Sequence, residues 1–181
     1  MKRIDIFVFG EKLDFSWNNG IKISCENSLI DFYQKLETHC KNFESEFLLF
    51  WDSALGQPDS NVIQNLIMGS SDLWHAGLKL GLGGQPGLLD FVHPTWMLNK
   101  DAPAEIPSTS WRVSLRACLL RTFVLKQIGF PDPNLTTLEA AGLDWGLRIL
   151  KAGLIPRYIP ALHPGATEEP VSISLADESR V

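Results

Sequence analysis

The chain has 181 residues, of which 45% are hydrophobic, and a formal net charge of −5 at pH 7. This length suffices for one sizeable core, and we expect a single domain over residues 1–165 with a polar tail over 166–181. The acidic balance, without a basic stripe interleaved with aromatics, argues against nucleic acid as a partner. No run approaches the ~20 apolar residues that a transmembrane helix requires, so no membrane span is expected.

The cysteines indicate the compartment. Cys25, Cys40 and Cys118 are irregularly spaced and form no CxxC pair, which favours a reducing, cytoplasmic setting. The first ten residues are predicted to form a strand and not a signal peptide, because Asp5 interrupts their apolar run.

Strand and helix signals alternate along the chain. Apolar runs predict strands over residues 4–9, 20–24, 46–51, 72–76, 110–118 and 154–159. Helical spacing predicts helices over residues 28–39, 60–67, 119–128 and 138–151, with Ser60 as the cap of the second and Gly153 as the stop of the last. Residues 77–87 and 99–110 are predicted to be loops. The alternation predicts an α/β fold of three layers, with helices on both faces of a mostly parallel sheet.

Asp52 directly follows the most apolar predicted strand. A polar residue at the carboxyl end of a buried strand is well placed to bind a ligand. The alternative is that Asp52 only hydrogen-bonds its own turn.

Residues 114–164 carry several motifs in a set order. A strand and helix lead to the turn Gly129-Phe130-Pro131-Asp132, an acidic helix ends at Gly153, and Tyr158-Ile159-Pro160 precedes His163. In order and spacing this segment resembles the acceptor-side half of family-two, GT-A type glycosyltransferases of the nucleotide-diphospho-sugar transferase superfamily. The resemblance implies a Rossmann-like sheet and transfer of a hexose from a nucleotide-sugar donor to an acceptor hydroxyl, with inversion.

The resemblance also implies a metal site. Residues 47–59 look like the family's strand and DxD motif, with Asp52 as the first carboxylate and Ala54 at the position of the second. Asp52 and His163 would then hold Mn²⁺ or Mg²⁺, which offsets the charge that develops on a departing diphosphate. A surface histidine at the end of the last strand is the alternative for His163.

For the catalytic base, the resemblance points to Asp144. A carboxylate there would take the proton of the acceptor hydroxyl. The alternative is an i,i+4 ion pair with Arg148 on a solvated helix face. Glu139 is a second candidate, but on a helix it lies about 140° around the axis from Asp144, so the two would not act as a pair.

Donor binding is assigned to Asp52, Trp74 and Arg121. Aromatic rings near the predicted loops are candidates to stack on a base or a sugar, although most such rings belong to cores: Trp74, His75, His93, Trp96 and Trp111. A binding or regulatory protein that kept the fold and lost its metal site is the competing function. An oligomerising accessory protein, with Trp96 in its interface, is the third.

Overall fold

A computed structural model of the chain describes residues 2–10, 13–17, 20–26, 28–41, 44–76, 80–81, 90–91, 100–101, 107–162 and 171–172. Within them it has eleven strands: β1 Ile4–Phe9, β2 Lys22–Cys25, β3 Phe47–Asp52, β4 Leu73–His75, β5 Leu80–Gly81, β6 Asp90–Phe91, β7 Lys100–Asp101, β8 Ser108–Thr109, β9 Ala117–Arg121, β10 Pro156–Tyr158 and β11 Val171–Ser172. The described helices are α1 Leu29–Cys40, α2 Ser60–Ile67, α3 Thr122–Ile128 and α4 Leu138–Lys151.

Seven of these strands form one mixed sheet, in the order β2-β1-β3-β9-β4-β10-β8. The strands β1, β2, β3, β4 and β10 run in one direction, and β8 and β9 run against them. Two further pairs are separate from this sheet: β5 with β11, and β6 with β7.

Side chains alternate between the two faces of the sheet. In β1, Phe7 and Phe9 join the core under α1, α3 and α4, whereas Ile6 and Val8 join the core under α2. Residues 13–17 cover the second core with three large side chains, those of Leu13, Phe15 and Trp17. The predicted α/β fold with helices on both faces is therefore confirmed, because a period of two along a strand buries both sides of the sheet.

The helix ends follow capping chemistry. The side chain of Ser28 accepts from the N–H of Asp31 at the start of α1, and that of Thr137 accepts from Ala140 at the start of α4. Helix α4 has the predicted bounds, and Gly153 beyond it has φ of +78°, a left-handed conformation that favours glycine. The predicted cap of α2 was wrong by one residue, because the carboxylate of Asp59 accepts the first free amides.

The strand predicted over residues 110–118 was wrong for most of its length, because the structure has β8 at Ser108–Thr109 and β9 at Ala117–Arg121, with no strand over residues 110–116. Leu119 and Leu120 were assigned to a helix, but they belong to β9, and the helix begins only at Thr122. Strand β9 lies between β3 and β4 and is apolar on both faces. A short run that is apolar throughout has no period that separates strand from helix, so the tertiary pairing decides.

The predicted loops and tail are described only in part. Within residues 77–87 and 99–110, the short strands β5, β7 and β8 are seen, and β11 in the tail pairs with β5. In the predicted tail, Val171–Ser172 form β11, while residues 166–170 and 173–181 lie outside the described part. Among the described residues, no helix is both long enough and apolar enough to cross a membrane.

Candidate functional site

The site is built where the parallel strands end. Cys25, Phe9 and Asp52 are neighbours in register, so β2, β1 and β3 finish together at one edge of the sheet. The chain leaves β1 toward β2 and leaves β3 toward the opposite side, through α2 to β4. Ligands of open α/β sheets bind at such a switch point, outside the carboxyl ends of the strands.

Glycine at position 10 keeps this switch point compact. Gly10 follows β1 with φ of +80°, and a Cβ built on it would lie 2.9 Å from the Oγ of Ser53. A residue with a side chain would therefore be strained by its backbone conformation and would also collide with the turn after β3.

Asp52 lies at the carboxyl end of its strand, as predicted. Its Oδ1 accepts from the N–H of Ala54 at 2.9 Å, which caps the turn after β3. Its Oδ2 accepts from Nη1 of Arg116 at 2.6 Å. The residue is 8% exposed, and both oxygens of the carboxylate are engaged.

Arg116 reaches Asp52 because β9 is antiparallel to β3. The start of β9 lies beside the end of β3, and the carbonyl of Arg116 accepts from the N–H of Asp52 at 2.7 Å. The guanidinium also donates through Nε to Oε1 of Glu139 at 2.5 Å. We call Asp52, Arg116 and Glu139 the carboxylate–arginine triad.

The triad carries a formal charge of −1. Burial by itself would lower the pKa of Arg116, but the hydrogen bonds and charges of Glu139 and Asp52 outweigh it and raise that pKa above its ordinary value. Arg116 is therefore a permanent cation held between two carboxylates. Glu139 is 6% exposed, so one triad carboxylate is as enclosed as the other.

A cleft of about 560 Å³ opens beside the triad. The first residues of α1 and α4 form its walls, together with Arg116 and the loop from Pro133 to Thr137. Its volume lies in the roughly 300–1,000 Å³ range of small-ligand sites. The amides of a helix's first turn carry a partial positive charge, so two such ends meet in this cleft.

Asp144 is placed differently. Its Oδ2 accepts from Nε of Arg148 at 2.9 Å, which is the ion pair considered above as the alternative. Arg148 also donates to the carbonyls of Ile128 and Phe130, and so ties α4 to the end of α3. Asp144 is not among the residues that line the cleft, whereas Glu139 is.

Trp74 and Arg121 lie together but away from Asp52. Arg121 is level with Phe47 at the beginning of β3, whereas Asp52 is at the end of that strand. Its guanidinium lies 5.0 Å from the ring of Phe47 and 5.7 Å from that of Trp74, and it donates to the carbonyl of Gly69 at 2.6 Å. The three residues assigned to the donor therefore do not form one site.

Of the five rings proposed to stack on a ligand, Trp111 is partly buried and has the guanidinium of Arg112 5.3 Å from its ring, whereas two others are enclosed. Trp74 is 3% exposed and His75 is fully buried, so both belong to the core. Burial lowers the pKa of His75 to about 4, although its hydrogen bond to the carbonyl of Ser110 acts the other way. His93 and Trp96 lie outside the described residues.

The described residues do not fit the expected metal. Ala54 contributes only its backbone N–H, and both oxygens of Asp52 are already hydrogen-bonded. His163 lies outside the described residues. Within the described ranges, no group of three histidine, cysteine, aspartate or glutamate side chains is placed to hold a metal ion.

Sequence reasoning missed the pairing of Arg116 with Asp52 and Glu139. The sequence contains a pattern that could have indicated this pairing, because Arg116 precedes an apolar strand and Glu139 lies in the first turn of a helix. The two side chains meet only once β9 is known to run against β3. No protein-family model matches the sequence, and no curated protein is significantly similar to it.

Proposed function

We propose that this protein is a GT-A type glycosyltransferase that binds a nucleotide-sugar in the cleft and transfers the hexose to an acceptor hydroxyl. One observation carries the proposal: the cleft is lined by the start of α1, which follows β2, and by Arg116, which pairs with Asp52 at the carboxyl end of β3, although Asp52 itself is not a lining residue. Part of its wall, Arg116 and residues 133–139, comes from the segment that resembles family-two enzymes.

The electrostatics favour an anionic group at the helix ends. The triad has a formal charge of −1, because Asp52 and Glu139 outnumber Arg116, so it supplies no attraction for an anion. The first-turn amides of α1 and α4 supply the attraction, as they do at other phosphate-binding helix ends. The donor's pyrophosphate would lie against these amides.

Glu139 is the carboxylate best placed to act as the base. The acceptor oxygen attacks the anomeric carbon, the bond to the nucleoside diphosphate breaks, and the hydroxyl proton passes to the carboxylate. Both carboxylates accept from an arginine, Glu139 from Arg116 and Asp144 from Arg148, but only Glu139 lines the cleft. The resemblance places the base at Asp144, whereas this proposal places it at Glu139, on a different face of α4.

The two carboxylates can be compared directly in a transfer assay. With any donor that supports turnover, Glu139→Gln should lower transfer by roughly 10²- to 10⁴-fold, the usual effect of losing a general base. Asp144→Asn should lower it by less than about tenfold, because the substitution keeps an acceptor for Arg148. A larger loss of transfer in Asp144→Asn than in Glu139→Gln would identify Asp144 as the base.

A non-catalytic binding protein is the second candidate. It is favoured by the engagement of both Asp52 oxygens and of Asp144 in structural hydrogen bonds. The two functions differ in one measurable respect: a binding protein retains a nucleotide-sugar without turnover in the presence of every acceptor tested.

A further inference from the structure

Two buried carboxylates at the edge of the sheet share one guanidinium. Nη1 of Arg116 lies 2.6 Å from Oδ2 of Asp52, and its Nε lies 2.5 Å from Oε1 of Glu139. We propose that Arg116 is a resident cation that fills the position between these carboxylates, so that the site neither binds nor needs a divalent metal.

Two like charges are costly to bury without a counter-charge between them. Asp52 and Glu139 are 8% and 6% exposed, and two such carboxylates need a positive charge between them. Arg116 and a hard divalent cation would satisfy this need through the same carboxylate oxygens. Occupation by one therefore excludes the other.

Arg116 is held in place by its backbone as well as by its side chain. Its carbonyl accepts from the N–H of Asp52 at 2.7 Å, where β9 begins beside the end of β3. The register of a central strand thus fixes the arginine's Cα. A metal would have to displace a side chain that is paired at two points and cannot lose its proton under ordinary conditions.

The fit to a metal is poor for a second reason. Oδ1 of Asp52 caps the following turn through Ala54, so only Oδ2 faces the shared position. A divalent cation takes six or more oxygen ligands, so water would have to complete the shell of an ion held here, and the site that removal of Arg116 opens would be weak. The guanidinium fork needs only the two oxygens that are present.

The inference deepens the proposed function, and its second consequence rests on that function. If the cleft binds a nucleotide-sugar, its affinity should be the same in Mn²⁺ and in chelator. The prediction that the wild-type site binds no divalent metal needs no nucleotide, because the position between the carboxylates exists in the free protein. Failure of the metal titration is therefore distinguishable from failure of the donor hypothesis.

The test is a titration with Mn²⁺ alone, followed by the paramagnetic resonance signal of the free ion. Wild type and Asp52→Asn should leave the same free Mn²⁺, since neither binds it at this position. Arg116→Gln should gain one site per chain by opening the carboxylate pair, and Arg116→Gln/Asp52→Asn should lose it. Arg116→Lys is the matched control, because it retains a positive charge and should gain no site.

Thermal unfolding provides an independent reading of the same variants. Arg116→Gln should melt below wild type in chelator and regain part of the difference in Mn²⁺, because an ion that binds only the native state stabilises it. Wild type should melt at one temperature in both buffers. Mn²⁺ binding by wild type that disappears in Asp52→Asn would overturn the inference, and so would a folded Arg116→Gln that gains no site. If Arg116→Gln does not fold, the comparison of wild type with Asp52→Asn decides alone.

Discussion

Replacing His75 with glutamine should remove a pH-dependent loss of stability that the wild-type protein shows between about pH 6.5 and 4. The imidazole is fully buried, and burial lowers its pKa from 6.5 to about 4. As the pH falls below 6.5, the unfolded chain binds a proton at this position and the folded chain does not. The folded state is therefore destabilised through this window, and the effect is complete near pH 4.

The size of the effect follows from the shift. One pKa unit corresponds to about 1.4 kcal/mol, so the free energy of unfolding should fall by roughly 3 kcal/mol across the window. Asp5 acts in a different range: burial would raise its pKa, but hydrogen bonds, from the N–H of Ile21 first and then from His39, keep it below 3.8. Its contribution is present above that value and is lost only in stronger acid.

Urea unfolding at several pH values between 7 and 4 measures this prediction. The amide of His75→Gln can donate to the carbonyl of Ser110, as Nε2 can in wild type, but it does not titrate. Its free energy of unfolding should therefore depend on pH less steeply than that of wild type, whatever its absolute stability. Equal slopes for the two proteins would show that His75 is not buried in its neutral form.

Two further predictions concern stability. Arg148→Gln should lower the melting temperature by about 4 to 8 °C, because the loss of its hydrogen bonds to the end of α3 costs about 2 kcal/mol. Asp144→Asn should lower it by less than about 4 °C. Equal shifts of the two variants in calorimetry would contradict the structural role of Arg148. Gly10→Ala should lower the free energy of unfolding in urea by about 1 to 2 kcal/mol, since its positive φ and the nearby Ser53 disfavour a side chain; a variant as stable as wild type would refute this reading of the turn.

The elements that sequence predicts best are those with an unambiguous period and a chemical boundary. Helix α4 has its apolar stripe between the Thr137 cap and the left-handed Gly153, and it was predicted with the correct bounds. The bounds of β9 were predicted wrongly, because Leu119 and Leu120 are buried on opposite faces of a central strand. No local pattern distinguishes such a run from a buried helix, and only pairing with β3 and β4 resolves it.

The candidate site follows the same division. The strand-end position of Asp52 could be predicted, because it depends on one apolar run and the residue after it. Its pairing with Arg116 could not, because the two residues are 64 positions apart and meet through the register of an antiparallel neighbour. Arg121 shows the converse. It is only five residues from Arg116 in sequence, but β9 runs between them, so Arg121 lies level with the beginning of β3 and not with its end.

The central claim, that the cleft binds a nucleotide-sugar, is tested most directly by thermal shift with UDP-, GDP- and dTDP-hexoses, each in chelator and in Mn²⁺. Ile30 lines the cleft and is 60% exposed, so Ile30→Trp should obstruct it without disturbing the core. Met68→Trp is the matched control, because Met68 is 75% exposed and lies outside the lining. At least one nucleotide class should raise the melting temperature of wild type and Met68→Trp but not that of Ile30→Trp. No shift with any donor, or the same shift in Ile30→Trp, would contradict the account.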